Sequence, residues 1–275
     1  MCENAVNARV PVAVPGARGS SPLLKKVAGA VAATAALGAA TAAYGHFIEL
    51  NNFQLRTESL PVLPAGSPDF RILHISDMHM IPGQQKKIDF MHSLAALEPD
   101  LVMNTGDNLS HVGGMEPLLE ALDPLMDFPG VFVPGSNCYF APVFKNPARY
   151  LWQPRTPQMI EEGSRVALPI ERMHDAFESR GWTGLVNRYD TLNLKGLRLE
   201  FSGVDDPHLR YDEHPGFAPG AFDEGDEPSV RIGVAHAPYM RTLYRFVQDG
   251  AQAIFAGHTH GGQVCLPGGH ALVSN

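Results

Sequence analysis

The segment Gly257-His258-Thr259-His260-Gly261-Gly262-Gln263 puts two imidazoles two residues apart in a glycine-rich turn, directly after the apolar run 251–256. Histidines at i and i+2 on the exit of a strand can converge on neighbouring metal ions, although a surface loop can also carry such a pair by chance. The pair gains weight from what lies upstream. Asp77-Met78-His79, Gly106-Asp107-Asn108, Asn137 and His236 each sit just past a short apolar run that reads as a strand. Imidazole and carboxylate together suit divalent ions, which act as Lewis acids and activate bound water. Taken singly, each residue has a plainer use. Asp77 could cap a helix, Asp107-Asn108 could form a turn, and His236 could be a satisfied buried histidine.

The elements that must bring these side chains together follow from the apolar pattern. Residues 70–76 (FRILHIS) are apolar and β-branched and predict a buried strand. Residues 84–97 carry apolar positions at helical spacing, and Glu98-Pro99-Asp100 ends that helix. A strand over 101–105, a helix over 116–126 with Pro117 in its first turn, and a strand over 130–134 complete the pattern. Asp77, Asp107 and Asn137 are therefore thirty residues apart, the length of one βαβ repeat. Parallel strands present their carboxyl ends on one edge of the sheet, so the repeat length itself brings these three side chains together.

Further along, residues 140–169 are proline-rich and irregular and read as an insertion that could rim the site. A short helix over 171–179 precedes a hairpin, with strands at 191–194 and 197–203 joined by Lys195-Gly196. Residues 205–228 are acidic and proline-rich, as expected of a solvated loop. Strands over 230–235 and 251–256 flank a helix over 239–248.

The net charge of −8 argues against a nucleic-acid-binding surface, which needs a basic face. It leaves room for a phosphate-bearing substrate, because bound divalent ions would supply local positive charge. The three cysteines, Cys2, Cys138 and Cys265, are scattered and form neither a disulfide framework nor a CxxC site. Residues 1–26 read as a disordered segment, with Lys25 and Lys26 leading into nineteen uncharged residues at 27–45. That run is long enough to cross a bilayer. It predicts a single N-terminal anchor with the catalytic domain outside the cytoplasm. A cleaved signal peptide, giving a secreted protein, and a soluble alanine-rich helix are the alternatives. Residues 46–69 form a linker, and the folded domain is expected over 70–275. The chain stops soon after the HxH motif, so this domain is expected to be truncated at its C-terminus.

The ordered set D-x-H, G-D-N, a Gly-x-Asn turn, a strand-end His and G-H-x-H-G-G resembles the calcineurin-like metallophosphoesterases, over roughly residues 70–265. With the N-terminal apolar segment, it is similar to the membrane-anchored, YkuE-type and lipid-pyrophosphatase-like branch. The resemblance implies an α/β fold, a layered α/β/β/α sandwich with mixed sheets and the metal site at strand carboxyl ends. It implies two divalent ions (Mn, Fe or Zn) bridged by Asp107. Asp77, His79 and His260 would complete one shell, and Asn137, His236 and His258 the other. Asp107, Asn137 and His236 would carry the catalysis. The implied reaction is hydrolysis of a phosphoric ester or pyrophosphate bond by a hydroxide held between the ions. The substrate would be a phosphoester, membrane-associated and lipid- or nucleotide-linked.

One motif departs from the family. Gly-Asn-His is usual at the third position, and this chain has Gly135-Ser136-Asn137-Cys138. Either Asn137 is the ligand and Cys138 replaces the histidine, or Ser136 replaces the ligand and Asn137 the histidine. The first reading is preferred, since an amide oxygen is a better ligand than a neutral hydroxyl. Neither supplies an imidazole, so a catalytically weakened metal-binding module of the same fold is the alternative function. The other eight histidines read as structural or surface residues; among them His208 is a candidate for the pocket wall, with no role assigned.

Overall fold

The computed structural model describes residues 22–142, 165–218, 229–261, 264–266 and 270–273. Most of the segment 1–26 expected to be disordered, most of the irregular insertion 140–169, and residues 219–228 of the acidic loop lie outside the described residues. The chain divides into two compact units, residues 1–54 and 55–275.

The first unit is a helix, α1 (Pro22–Phe47). It starts earlier than the uncharged run, with Lys25 and Lys26 inside it. The apolar stretch Lys25–Asn51 is long and apolar enough to cross a membrane, and a signal sequence would pass the same test. Its threonines turn their hydroxyls inward: Thr34 Oγ1 donates to the Ala30 carbonyl at 3.0 Å and Thr41 Oγ1 to the Leu37 carbonyl at 2.9 Å. Each hydroxyl is thereby satisfied within the helix.

The second unit is built on two four-stranded sheets. The first contains β1 (Ile72–Ile75), β2 (Leu101–Asn104), β3 (Gly130–Phe132) and β4 (Thr183–Gly184), in that order and all parallel. Its crossovers carry α2 (Gln85–Ser93), α3 (Met115–Leu122), a short helix α4 (Ser136–Tyr139) and α5 (Ile170–Ser179). The second sheet has β5 (Arg188–Leu194), β6 (Leu197–Gly203), β7 (Ser229–Ala235) and β8 (Ala253–Ala256). Here β5 and β6 form the expected hairpin, and β6, β7 and β8 run parallel. Helix α6 (Met240–Gln248) connects β7 to β8, and a small hairpin of β9 (Val264–Leu266) and β10 (His270–Val273) follows.

Three apolar clusters define the layers. Leu101, Met103, Val131 and Val133 of the first sheet meet Leu199, Phe201, Ile232 and Val234 of the second, forming a core between the sheets. On the outer face of the first sheet, Ile88, Met91, Leu118, Leu122, Met173 and Phe177 bring the helices down onto it. Val204, Ala235 and Phe246 seat α6 on the outer face of the second sheet. This is the α/β/β/α sandwich; its second sheet is mixed, as expected, and its first is parallel throughout. The helix predicted over 84–97 is α-helical only to Ser93 and continues as a 3₁₀ turn, Leu94–Leu97. It stops at Glu98, a left-handed C-cap at φ 48 whose N–H bonds the Ala95 carbonyl, and Pro99 cannot continue the helix. The sequence reading contains no β4, α4 or β9–β10, since elements of two to four residues are too short to show a period.

Candidate metal centre

The loops leaving the strands are themselves laddered, which decides where the polar side chains go. Past β1 and β2, Asp77 N donates to the Gly106 carbonyl, His79 N to that of Asp107 and Met80 N to that of Asn108, at 2.8–2.9 Å. Past β7 and β8, Gly257 N donates to the His236 carbonyl at 2.8 Å. In the first loop the side chains alternate, with Met78 and Met80 in the core and Asp77 and His79 on the open side. Two bonds tie the sheets together at this edge. His236 Nδ1 donates to the Thr105 carbonyl at 2.7 Å, and His258 N donates to Asp77 Oδ2 at 2.9 Å.

Six of the seven residues singled out from the sequence fall into two groups, Asp77-His79-His260 and Asp107-His236-His258, each with its donor atoms within 4.8 Å of one another. In the first, His260 Nε2 lies 3.3 Å from Asp77 Oδ1 and 3.3 Å from His79 Nε2. In the second, His236 Nε2 lies 3.3 Å from Asp107 Oδ2. The groups meet where His79 Nε2 comes within 3.8 Å of Asp107 Oδ2. The seventh residue, Asn137, contacts one member of each group. Its backbone N–H donates to Asp107 Oδ1 at 2.7 Å, and its amide lies 3.2 Å from His79 Nδ1. Its side-chain contact is thus with His79 of the first group, whereas the resemblance places it in the shell of His236 and His258.

The electrostatics are those of donors crowded within 4.8 Å of one another in each group. Burial would raise both carboxylates, but the histidines and hydrogen bonds outweigh it. Asp107 is held low mainly by His236, and Asp77 far below the carboxylate range by His260, His236 and Ser76. Burial and the neighbouring His236 and His208 push His258 down to about 4, so it is neutral at neutral pH. Burial would lower His236 as well, yet Asp107 holds it at about 9. Asp77 Oδ1 and His236 Nε2 are buried with no well-aligned hydrogen-bond partner, each only 3.3 Å from His260 Nε2 and Asp107 Oδ2 respectively. Buried polar atoms left in this way call for a partner, and an ion is one that both would accept. Glycines make the room. A Cβ at Gly257 would lie 1.9 Å from Ser76 Oγ and 2.6 Å from Asp77 Oδ2, and one at Gly135 would lie 2.4 Å from Asp107 Oδ1.

Two carboxylates and four imidazoles form a mixed N/O donor set that fits first-row divalent ions, with no thiolate among them. Cys138 is fully buried in the helix-side core, where desolvation raises its thiol to about 12. Ser136 is buried at the start of α4. Several supporting residues have no role assigned in the sequence reading. Asn104 and Asn108 are fully buried and bonded to each other at 2.9 Å, and Asn104 Oδ1 accepts from Gly106 N, which fixes the turn carrying Asp107. Ser76 donates to Asp77 Oδ2 at 2.6 Å, and Ser110 Oγ lies 2.9 Å from His79 Nδ1. His208 lies beside the second group, its ring 5.1 Å from that of His258.

A model of the calcineurin-like phosphoesterase family matches residues 70–262, a span that holds both groups and Asn137. The chain belongs to the calcineurin-like phosphoesterases. As a calcineurin-like phosphoesterase it is a metal-dependent hydrolase of phosphoesters, and the two groups are its candidate ligand clusters. It is also similar to the uncharacterized protein YpbG of Bacillus subtilis (strain 168). The two are 27% identical over 213 residues, which cover 76% of this chain and 69% of the relative.

Proposed function

We propose that this calcineurin-like phosphoesterase hydrolyses phosphodiester or pyrophosphate bonds at a centre of two divalent ions, Mn, Fe or Zn. Asp77, His79 and His260 would hold one ion, and His236, His258 and Asn137 the other, with Asp107 between them. When bound, such ions supply an activated water at neutral pH and Lewis-acid contacts to phosphoryl oxygens. The observation that carries the reading is the meeting of the two groups at Asp107 and His79, 3.8 Å apart, on one edge shared by both sheets.

The residues prepare the site in separate ways. Asn137 N–H occupies Asp107 Oδ1, which turns Oδ2 toward the histidines. The Thr105 carbonyl fixes the proton of His236 on Nδ1, leaving Nε2 as the donor atom; this is the usual way a ligating histidine is oriented. Ser76 and His258 N do the same for Asp77 by occupying Oδ2. Cys138 points into the core, so of the Ser136-Asn137-Cys138 turn it is Asn137 that we retain as the ligand candidate. Cys138, fully buried in the helix-side core with its thiol raised to about 12, is not placed to protonate a leaving group. The substrate therefore has to leave as a weak base, an aryl oxide or a phosphate.

The enzyme would be membrane-anchored, which the apolar α1 supports, with its domain outside the cytoplasm and a lipid- or nucleotide-linked substrate; cleavage of α1 would make it secreted. The test is metal analysis of the full chain with hydrolysis of an aryl phosphodiester under Mn, Zn and Fe, wild type against Asp107→Ala. We expect two ions per wild-type chain and turnover that Asp107→Ala abolishes. Two bound ions with no turnover on any phosphoester would favour the second reading, a metal-binding module, which the missing imidazole after Asn137 also motivates.

A further inference from the structure

The strand ends that supply the candidate ligands are those of β1, β2, β3, β7 and β8. A sixth strand, β6, is parallel to β7 and ends on the same edge, and its exit loop carries His208. That loop is unusually well fixed. The fully buried Asp206 carboxylate accepts from His208 N at 3.1 Å and Leu209 N at 2.9 Å. Its neighbour Asp205 takes the Tyr139 hydroxyl on both oxygens, at 2.7 and 2.8 Å, and its N–H donates to Asn187 Oδ1. Tyr139 lies two residues beyond Asn137, so the loop holding His208 is pinned directly to the loop holding Asn137.

The His208 ring is exposed and placed by two neighbours, Tyr239 and His258. It stacks on Tyr239 with an interplanar angle of 14°, its Nδ1 lies 3.0 Å from the Tyr239 hydroxyl, and it packs against His258. Tyr239 comes three residues after His236 and is in turn capped by the Arg241 guanidinium, 5.6 Å from its ring centre. A turn tied down by a buried carboxylate in order to present an exposed imidazole beside a candidate ligand is costly to build for a surface loop. With Tyr239 O–H donating to Nδ1, a neutral imidazole carries its proton on Nε2 and is a directed donor.

We propose that His208 is a substrate-contacting residue whose Nε2–H donates to an oxygen of the bound phosphoryl group, and that Tyr239 is the positioning residue that fixes its tautomer. The proposal rests on the phosphoesterase reading of the adjoining site. It places an imidazole on the second-sheet side of the centre, where the α4 loop supplies none. No change of charge on His208 is needed, only a directed N–H.

The test uses the full-length chain loaded with Mn and titrated calorimetrically with inorganic phosphate, alongside hydrolysis of an aryl phosphodiester. His208→Ala is expected to weaken phosphate binding about tenfold, the worth of one hydrogen bond to a charged group, with two ions still bound. His208→Gln, whose amide can donate from a similar place, should recover much of that loss. Tyr239→Phe should show a smaller loss of about threefold. The hydrolytic loss in His208→Ala should appear in kcat/KM while metal content stays fixed. Phosphate affinity within twofold of wild type in His208→Ala would overturn the proposal, and so would loss of an ion, which would mean that His208 acts only by supporting His258. Wild type that binds ions and phosphate without turnover would sink the hydrolase reading but leave His208 measurable. Wild type that binds no ion would sink both.

Discussion

Gly257→Ala separates the two candidate ion sites by a single methyl group. A Cβ there would stand 1.9 Å from Ser76 Oγ and 2.6 Å from Asp77 Oδ2, where ordinary contact begins at 3.4 Å. The serine hydroxyl must withdraw by about 1.5 Å and the carboxylate oxygen by nearly 1 Å. Rotation of Ser76 relieves the first clash only by breaking its 2.6 Å bond to Asp77. Movement of Asp77 also strains the 2.9 Å bond from His258 N. The clash lies at a strand exit, away from the main apolar clusters, so the stability cost should be that of modest overpacking, about 1–3 kcal/mol. The larger consequence is for metal. Asp77 loses the partners that aim its free oxygen, and losing such support typically costs about 10–100-fold in affinity. We expect Gly257→Ala to fold, to keep the ion of Asp107, His236 and His258, and to lose the ion of Asp77, His79 and His260 at micromolar Mn. Elemental analysis after dialysis should then read one ion per chain against two for wild type, and Ser76→Ala should fall between them. Retention of both ions at wild-type affinity, with an unchanged circular dichroism spectrum, would refute the link between this glycine and Asp77. Loss of both together would refute the independence of the two groups.

Phe177 is fully buried against Phe132 and Trp182, with ring centres 5.2 Å from each. Phe177→Ala should cost about 3–5 kcal/mol and lower Tm by about 10 °C in calorimetry, without changing metal stoichiometry. Burial lifts the Asp206 carboxyl to about 7. Because the folded state favours its protonated form, its contribution is full below the ordinary carboxylate range and is lost as pH rises through about 7. Metal-stripped wild type should thus be destabilised between about pH 4 and 8 by up to about 4 kcal/mol through this group, and urea melts of Asp206→Asn should lack that slope. With no leaving-group imidazole after Asn137, an aryl phosphodiester should turn over far faster than its alkyl counterpart, and equal rates on a matched pair would count against a weakened proton donor. Chelation should abolish turnover and lower Tm, since ligands bound only to the native state stabilise it by about 2.7 kcal/mol each at a hundredfold excess over Kd.

The parts of the site that were legible in the sequence share one property: their placement follows from chain distance. The thirty-residue spacing of Asp77, Asp107 and Asn137 is set by the βαβ repeat, and β1, β2 and β3 do pair in parallel in that order. His236, His258 and His260 were readable because each sits at the end of an apolar run that became β7 or β8. What stayed hidden depends on contacts between loops. Asn104 looks like one more strand residue until its side chain is seen to hold the Gly106 turn. Residues 205–228 read as solvated loop with His208 as a pocket-wall candidate only, because nothing in the sequence says that Asp206 would be fully buried or that Tyr139 would reach across to Asp205. The Asn137 amide was assigned to one shell by motif order and lies against His79 of the other group, a choice made by the turn geometry of α4.

Backbone conformation gives an independent reason to treat this edge as a functional site. Among the described residues, nine that are not glycine have positive φ, and five of them are Asp77, His79, Asp107, His258 and His260, at φ 47–70. Left-handed geometry costs a side chain about 1 kcal/mol, so a loop chosen for stability alone would place glycine at such positions. Here aspartate and histidine take them, in addition to the left-handed Gly106 and Gly261 beside them. The alternation Asp77-Met78-His79-Met80 shows what the strain accomplishes. By stepping through the left-handed region twice, the chain keeps both methionines in the core and points both polar groups outward. The ladder from Asp77, His79 and Met80 to the loop after β2 holds that path in place. Strain that is both concentrated on ligand-type side chains and over-determined by hydrogen bonds is what a preformed ion site requires, because ions cannot be gripped by donors that relax away. The five positions therefore support one another as a set in a way that no motif among them does alone.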